Sequence, residues 1–140
     1  MRLRILVALS IVALFASPPA TAAGGECPVQ SHDNDEIAKA VHDAPTCGAS
    51  MAIFERCGSG ATGDVTIGEI VVGKCEGVFA GRLSAGRKRA YDRAQTNCEK
   101  KYIKQTGSMY RSFEAFCYAK AAANVAEQFS KTGPATPATK

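Results

Sequence analysis

Tryptophan is absent from this 140-residue chain, and aromatic residues make up only 7% of it. Any core must therefore be built mainly from aliphatic and small side chains. Histidine occurs only twice, at His32 and His42, so few groups can exchange protons near neutral pH. His32 sits in a polar stretch and His42 at a helix end beside Asp43, where a dipole-compatible role outweighs a catalytic one. No G-x-S-x-G, H-E-x-x-H or phosphate-binding loop occurs. Asp33-Asn34-Asp35 starts like a calcium loop, but Ile37 takes the fifth position and no loop glycine or closing glutamate follows. No C-x-x-C pair exists, since the closest cysteines are ten residues apart, which argues against zinc. These shortages exclude the recognisable hydrolase, kinase and metalloenzyme patterns. A non-enzymatic protein with no cofactor and no metal is expected.

A long hydrophobic run is missing as well. The uncharged stretch Ile5 to Ala16 is about twelve residues, short of the ~20 that a spanning helix needs. Met1-Arg2-Leu3-Arg4 precedes it, and Ser17 to Ala23 is rich in small residues. Basic start, apolar middle and small-residue exit form a secretory signal peptide, with cleavage expected after Ala22. Periplasmic or secreted localisation follows, without membrane insertion. The formal charge of +4 falls to +2 once Arg2 and Arg4 leave, too little to argue for a nucleic-acid partner.

What the chain does have is six cysteines, at positions 27, 47, 57, 75, 98 and 117, all beyond the cleavage point. An even number in a short exported chain reads as a disulfide framework. Each bridge contributes roughly 2–4 kcal/mol, chiefly by restricting the unfolded chain. The 118 residues left after cleavage make one domain over 23–131, followed by a Pro- and Thr-rich tail at 132–140 that is expected to be disordered.

Along the domain, Asp33 or Asn34 is placed to cap a helix running to Ala44, with Ile37, Ala38 and Val41 on its apolar side. Pro45 stops that helix and Thr46 caps a second, Cys47 to Cys57. Gly58 to Gly63 is a turn, after which Asp64 is the expected cap of the next element. From Val65 to Leu83 the residues Ile67, Ile70, Val71, Cys75, Val78, Phe79 and Leu83 follow a helical stripe. β-branched enrichment over Val65–Val72 leaves a strand as the alternative, and Gly68, Gly73, Gly77 and Gly81 each cost a helix ~1 kcal/mol. Helix is favoured, with the glycines permitting close helix–helix approach.

From Leu83 to Phe129 the pattern is an antiparallel helical hairpin. Tyr91, Ala94, Cys98, Tyr102 and Ile103 line one helix. Met109, Phe113, Phe116, Cys117, Ala121, Val125 and Phe129 line the other, with a break at Gly107 and Ser108 as the expected N-cap. Cys98 and Cys117 each lie about 13–15 Å from the break, so a hairpin brings them level. Six cysteines permit fifteen pairings, and sequence alone cannot choose among them. Hairpin symmetry about the Gly58–Gly63 turn suggests Cys47 with Cys75, leaving Cys27 for Cys57. The expected fold is all-α, a small disulfide-stapled bundle of antiparallel helices.

Charge is unevenly spread. Asp33, Asp35, Glu36 and Asp43 make the start acidic, whereas Arg82, Arg87, Lys88, Arg89, Arg93, Lys100, Lys101 and Lys104 make the middle basic. Phe113 and Phe116 are expected in the core; Tyr110 and Arg111, beside the turn, are candidates for an exposed interface pair.

The run Leu83-Ser84, Arg87-Lys88, Tyr91, Ala94-Gln95 and Cys98, then Gly107-Ser108 and Cys117, resembles the secreted LprI-like lysozyme-inhibitor family over roughly Cys75 to Phe129. The resemblance implies an all-helical exported domain that binds lysozyme as its protein partner. A cation directed at the acidic cleft would be the blocking group, and Arg87, Arg89, Arg93 and Arg111 are the candidates. The alternative is a structural or interaction domain of the cell envelope without inhibitory activity.

Overall fold

In the computed structural model, which describes residues 25–132, five helices form one bundle: α1 (Asn34–Asp43), α2 (Cys47–Cys57), α3 (Gly63–Phe79), α4 (Ala85–Tyr102) and α5 (Ser108–Thr132). No strand occurs among these residues. The expected signal peptide, 1–22, and the expected tail beyond Thr132 lie outside the described residues, while Thr132 itself ends α5. All three bridges form as hairpin geometry suggests: Cys27–Cys57, Cys47–Cys75 and Cys98–Cys117. Three disulfides match an oxidising environment outside the cytoplasm.

Local chemistry starts and stops the helices. Asp33, rather than Asn34, caps α1 by accepting from the Asp35 and Glu36 N–H groups at 2.8 and 3.2 Å. Thr46 caps α2 through the Ala49 N–H, and Ser84 caps α4 through the Arg87 N–H. The C-terminal end of α1 is covered by a distant residue, since the Lys74 ammonium donates to the Ala44 carbonyl at 2.8 Å. Ser50 is fully buried and donates to the Val41 carbonyl at 3.0 Å, tying α2 to α1.

The segment in question between 65 and 83 is helical. Ile67, Val71, Cys75 and Phe79 recur every fourth residue and are all buried, whereas Glu69, Gly73 and Gly77, which a strand would place on the same face, are exposed. Two expectations fail here. Asp64 does not cap α3 but lies inside its first turn with 1% of its surface exposed. Its carboxylate accepts from the Ser59 and Gly60 N–H groups at 3.2 and 2.9 Å and from the Ser112 hydroxyl at 2.6 Å. A buried charge is tolerable only with such partners, and this one ties the turn and α5 to α3. Of the four glycines expected to bring helices close, only Gly68 does so. A Cβ there would lie 3.0 Å from that of Ala115, whereas Gly73 and Gly77 face open space and Gly81 lies beyond the helix at φ +69°.

Contacts fix the directions. Cys47 pairs with Cys75 and Phe54 reaches Gly68, so α2 and α3 are antiparallel. Arg87 lies over Phe129, Cys98 bonds Cys117 and Tyr102 neighbours Phe113, so α4 and α5 are also antiparallel, in constant register. Because α4 carries the chain back, α3 and α5 run the same way: Asp64 meets Ser112, Gly68 meets Ala115 and Phe79 meets Phe129. This parallel pair is the most extensive interface of the bundle. α1 and α2 cover α3, α2 also reaches α5, and α4 packs its backbone against α5 alone.

The core is therefore centred on α3, with Phe54 fully buried and stacked on Phe116 at 3.9 Å. On α5 the most buried face is Ser112, Ala115, Ala119, Ala122 and Ala126, not the larger residues expected there. Small side chains are what let α5 approach Gly68 on α3. The large residues are turned aside: Phe116 is half-buried, while Met109 and Phe113 face solvent. Ser108 is the first residue of α5, so the position before the helix belongs to Gly107, whose φ of +110° suits glycine.

Candidate functional site

Two surfaces carry more than packing. The first is the tip of the α4–α5 hairpin. Ile103, Met109 and Phe113 are 59%, 48% and 42% exposed, and they are the exposed large hydrophobic residues of the described chain. Tyr102 and Tyr110 each lie 6.3 Å from the Phe113 ring, and the Lys101 ammonium sits 5.1 Å from the Tyr102 ring. Lys100 and Lys104 are exposed at the same end of the hairpin in sequence. The cluster is exposed because α5 reserves its inner face for alanine, and the Cys98–Cys117 bridge holds the two sides together.

The second surface is a trough of about 500 Å³ between α3 and α4, floored by α5. Its floor is Arg111, Glu114, Ala115 and Tyr118, a one-sided spacing on a helix. Val65, Gly68, Glu69, Val72, Gly73 and Glu76 form the α3 wall, and Gln95 projects from α4. Glu76 accepts from the Tyr91 hydroxyl at 2.7 Å, which in turn accepts from the Gln95 amide at 2.5 Å. Burial, and then the carboxylate of Glu76, push the Tyr91 hydroxyl well above its usual titration range, so it stays a neutral donor. Glu114 accepts from Arg111 at 2.9 Å and from the Tyr118 hydroxyl at 3.2 Å; burial followed by the Glu114 charge raises Tyr118 as well.

The five residues expected to bind a partner do not gather in one place. Arg87 lies 5.5 Å from the Phe129 ring, which Arg82 also approaches at 5.3 Å. Arg89 and Arg93 stand exposed on α4. Tyr110 and Arg111 belong to the opposite end of the hairpin. There Tyr110 is half-buried against Phe113, while Arg111 is exposed and paired with Glu114. His32 and His42 are exposed at either side of α1, and the His42 ring lies 3.1 Å from Asp43. Among the described residues no cluster of His, Cys, Asp or Glu is arranged to hold a metal, and no helix is long and apolar enough to cross a membrane.

The trough escaped sequence reading. Glu69 and Glu76 are seven apart on α3, and Arg111, Glu114 and Tyr118 follow a helical face, but such spacings are also those of ordinary solvated surfaces. No family model matches the chain, and no curated protein or solved structure matches it either.

Proposed function

We propose that this chain is an exported, non-enzymatic binding protein that docks on another protein through the tip of the α4–α5 hairpin. Export would use residues 1–22 as a signal peptide. The observation that carries the reading is the gathering of Ile103, Met109 and Phe113 at one disulfide-braced tip, with exposed lysines at the same end of the hairpin. An apolar and aromatic centre with a polar rim is how protein interfaces concentrate their binding energy. A position at the end of a hairpin and the lysines there suit a recessed, acidic partner. A lysozyme cleft has that chemistry, and lysozyme is the partner that the LprI-like resemblance implies. The cations entering the cleft would then be Lys101 and Lys104 rather than Arg87, Arg89 or Arg93, which lie further back along α4, or Arg111, which is held by Glu114.

The test is inhibition of lysozyme by oxidised protein, alongside a Met109→Ala/Phe113→Ala variant and an Arg89→Ala/Arg93→Ala variant. Slowing at equimolar ratio is expected from the parent, with at least roughly tenfold weaker inhibition when the two tip residues are truncated. The arginine pair should change little. No slowing over a wide concentration range would remove lysozyme as the partner, and equal inhibition by the tip variant would remove the tip as the docking surface.

A further inference from the structure

The trough between α3 and α4 has features that docking at the tip does not use. It exists because the backbones of α3 and α4 do not meet: each packs on α5, and the Tyr91 side chain bridges from α4 to Phe79 and Glu76. A volume of about 500 Å³ falls in the range of small-ligand sites. Its apolar surface comes from Val65, Val72 and Ala115, and Gly73 leaves the α3 wall without a side chain.

Its polar groups are one-sided. Three carboxylates, Glu69, Glu76 and Glu114, face one cation, Arg111, and that cation is held by Glu114 at 2.9 Å. The remaining negative charge belongs to Glu69 and Glu76. Glu76 is half-buried, and one of its oxygens is fixed by the Tyr91 hydroxyl, itself held by Gln95. A carboxylate fixed in this way, beside apolar walls, is prearranged for a donor on a ligand. An anionic ligand would be repelled, and a neutral hydrocarbon would leave that charge uncompensated.

We infer that this trough binds a small aliphatic cation, a primary amine or guanidine carried on a hydrocarbon body, with the charged head at Glu76 and the body along Val72 and Ala115. The site is separate from the docking surface at the tip, and the two can fail independently.

Calorimetric titration of the oxidised protein with octylammonium, octanoate and ethylammonium tests it. Octylammonium is expected to bind one to one, octanoate to give no signal, and ethylammonium to bind far more weakly because it lacks the body. Glu76→Gln should weaken octylammonium by about tenfold, the scale of one charge-assisted hydrogen bond. Gly73→Leu should block binding while keeping or raising the melting temperature, since leucine favours helix and a Cβ there meets nothing within 4 Å. Met109→Ala/Phe113→Ala should bind octylammonium like the parent, whatever it does to lysozyme. Absence of octylammonium binding, equal binding of octanoate, or parent-like affinity in both trough variants would overturn the inference.

Discussion

α3 and α4 are nearly the same length, seventeen and eighteen residues, yet they are held in the bundle by different means. α3 buries Asp64, Ile67, Gly68, Val71, Cys75 and Phe79 and is touched by α1, α2 and α5. α4 buries only Tyr91 and Cys98, and its backbone packs on α5 alone. Its eight charged residues against four in α3 explain which helix is enclosed. An isolated helix of this length is marginal in water, so α4 depends on its two anchor points. One is the covalent bridge to Cys117. The other is the Tyr91 ring, edge-on to Phe79 at 5.2 Å, with its hydroxyl on Glu76. A helix secured at two points leaves surface on either side of them, and both candidate sites lie on α4's borders with its neighbours.

The comparison is broken most severely by Phe54→Ala. Phe54 is fully buried, stacks on Phe116 and touches Gly68 of α3. Its truncation should cost about 3–5 kcal/mol in urea unfolding, felt by every helix at once because α3 organises the bundle. A loss below about 1 kcal/mol would mean that the core around α3 can collapse onto the gap.

Removing bridges one at a time sharpens the contrast. Cys98→Ser/Cys117→Ser and Cys47→Ser/Cys75→Ser open loops of similar span, with sequence separations of 19 and 28, so loop entropy differs little between them. Each should cost roughly 2–4 kcal/mol, but in different places. Hydrogen exchange should find α4 amides deprotected in the first variant, with α1, α2 and α3 retained. In the second, protection should fall throughout. Identical exchange patterns would show that α4 folds as one unit with α3.

The sequence carried the helices and their bridges because these depend on local signals: Thr46 and Ser84 at caps, Pro45 at a stop, cysteines equidistant from turns. The α4–α5 register was legible for the same reason. Less legible was which face of α5 turns inward. Hydrophobic size pointed to Met109 and Phe113, but the requirement at Gly68 is for a small neighbour, and Ala115 meets it from another element. Asp64 misled in the same way. A carboxylate after a glycine-rich turn reads as a cap, and only the distant Ser112 and the folded-back Ser59 and Gly60 amides make it a buried tie. The trough depends on the backbones of α3 and α4 staying out of contact, and no residue in either helix announces that by itself.

The smallest effect expected concerns Tyr91, and it tests whether the second anchor is chemical or merely steric. Burial and then Glu76 raise the hydroxyl's titration above the ordinary 10.0, so the folded protein holds this proton more tightly than the unfolded chain does. Stability from this group is complete below pH ~10 and is lost as the unfolded tyrosine ionises at higher pH. Between about pH 9 and about pH 11 the parent should therefore lose stability more steeply than Tyr91→Phe, measured by urea unfolding at fixed salt. Tyr118, also raised, and the lysines titrate in both proteins and cancel in the difference. Parallel pH profiles would assign the anchor to ring packing against Phe79, leaving Glu76 positioned without help from α4. The octylammonium affinity of Tyr91→Phe would then match the parent's.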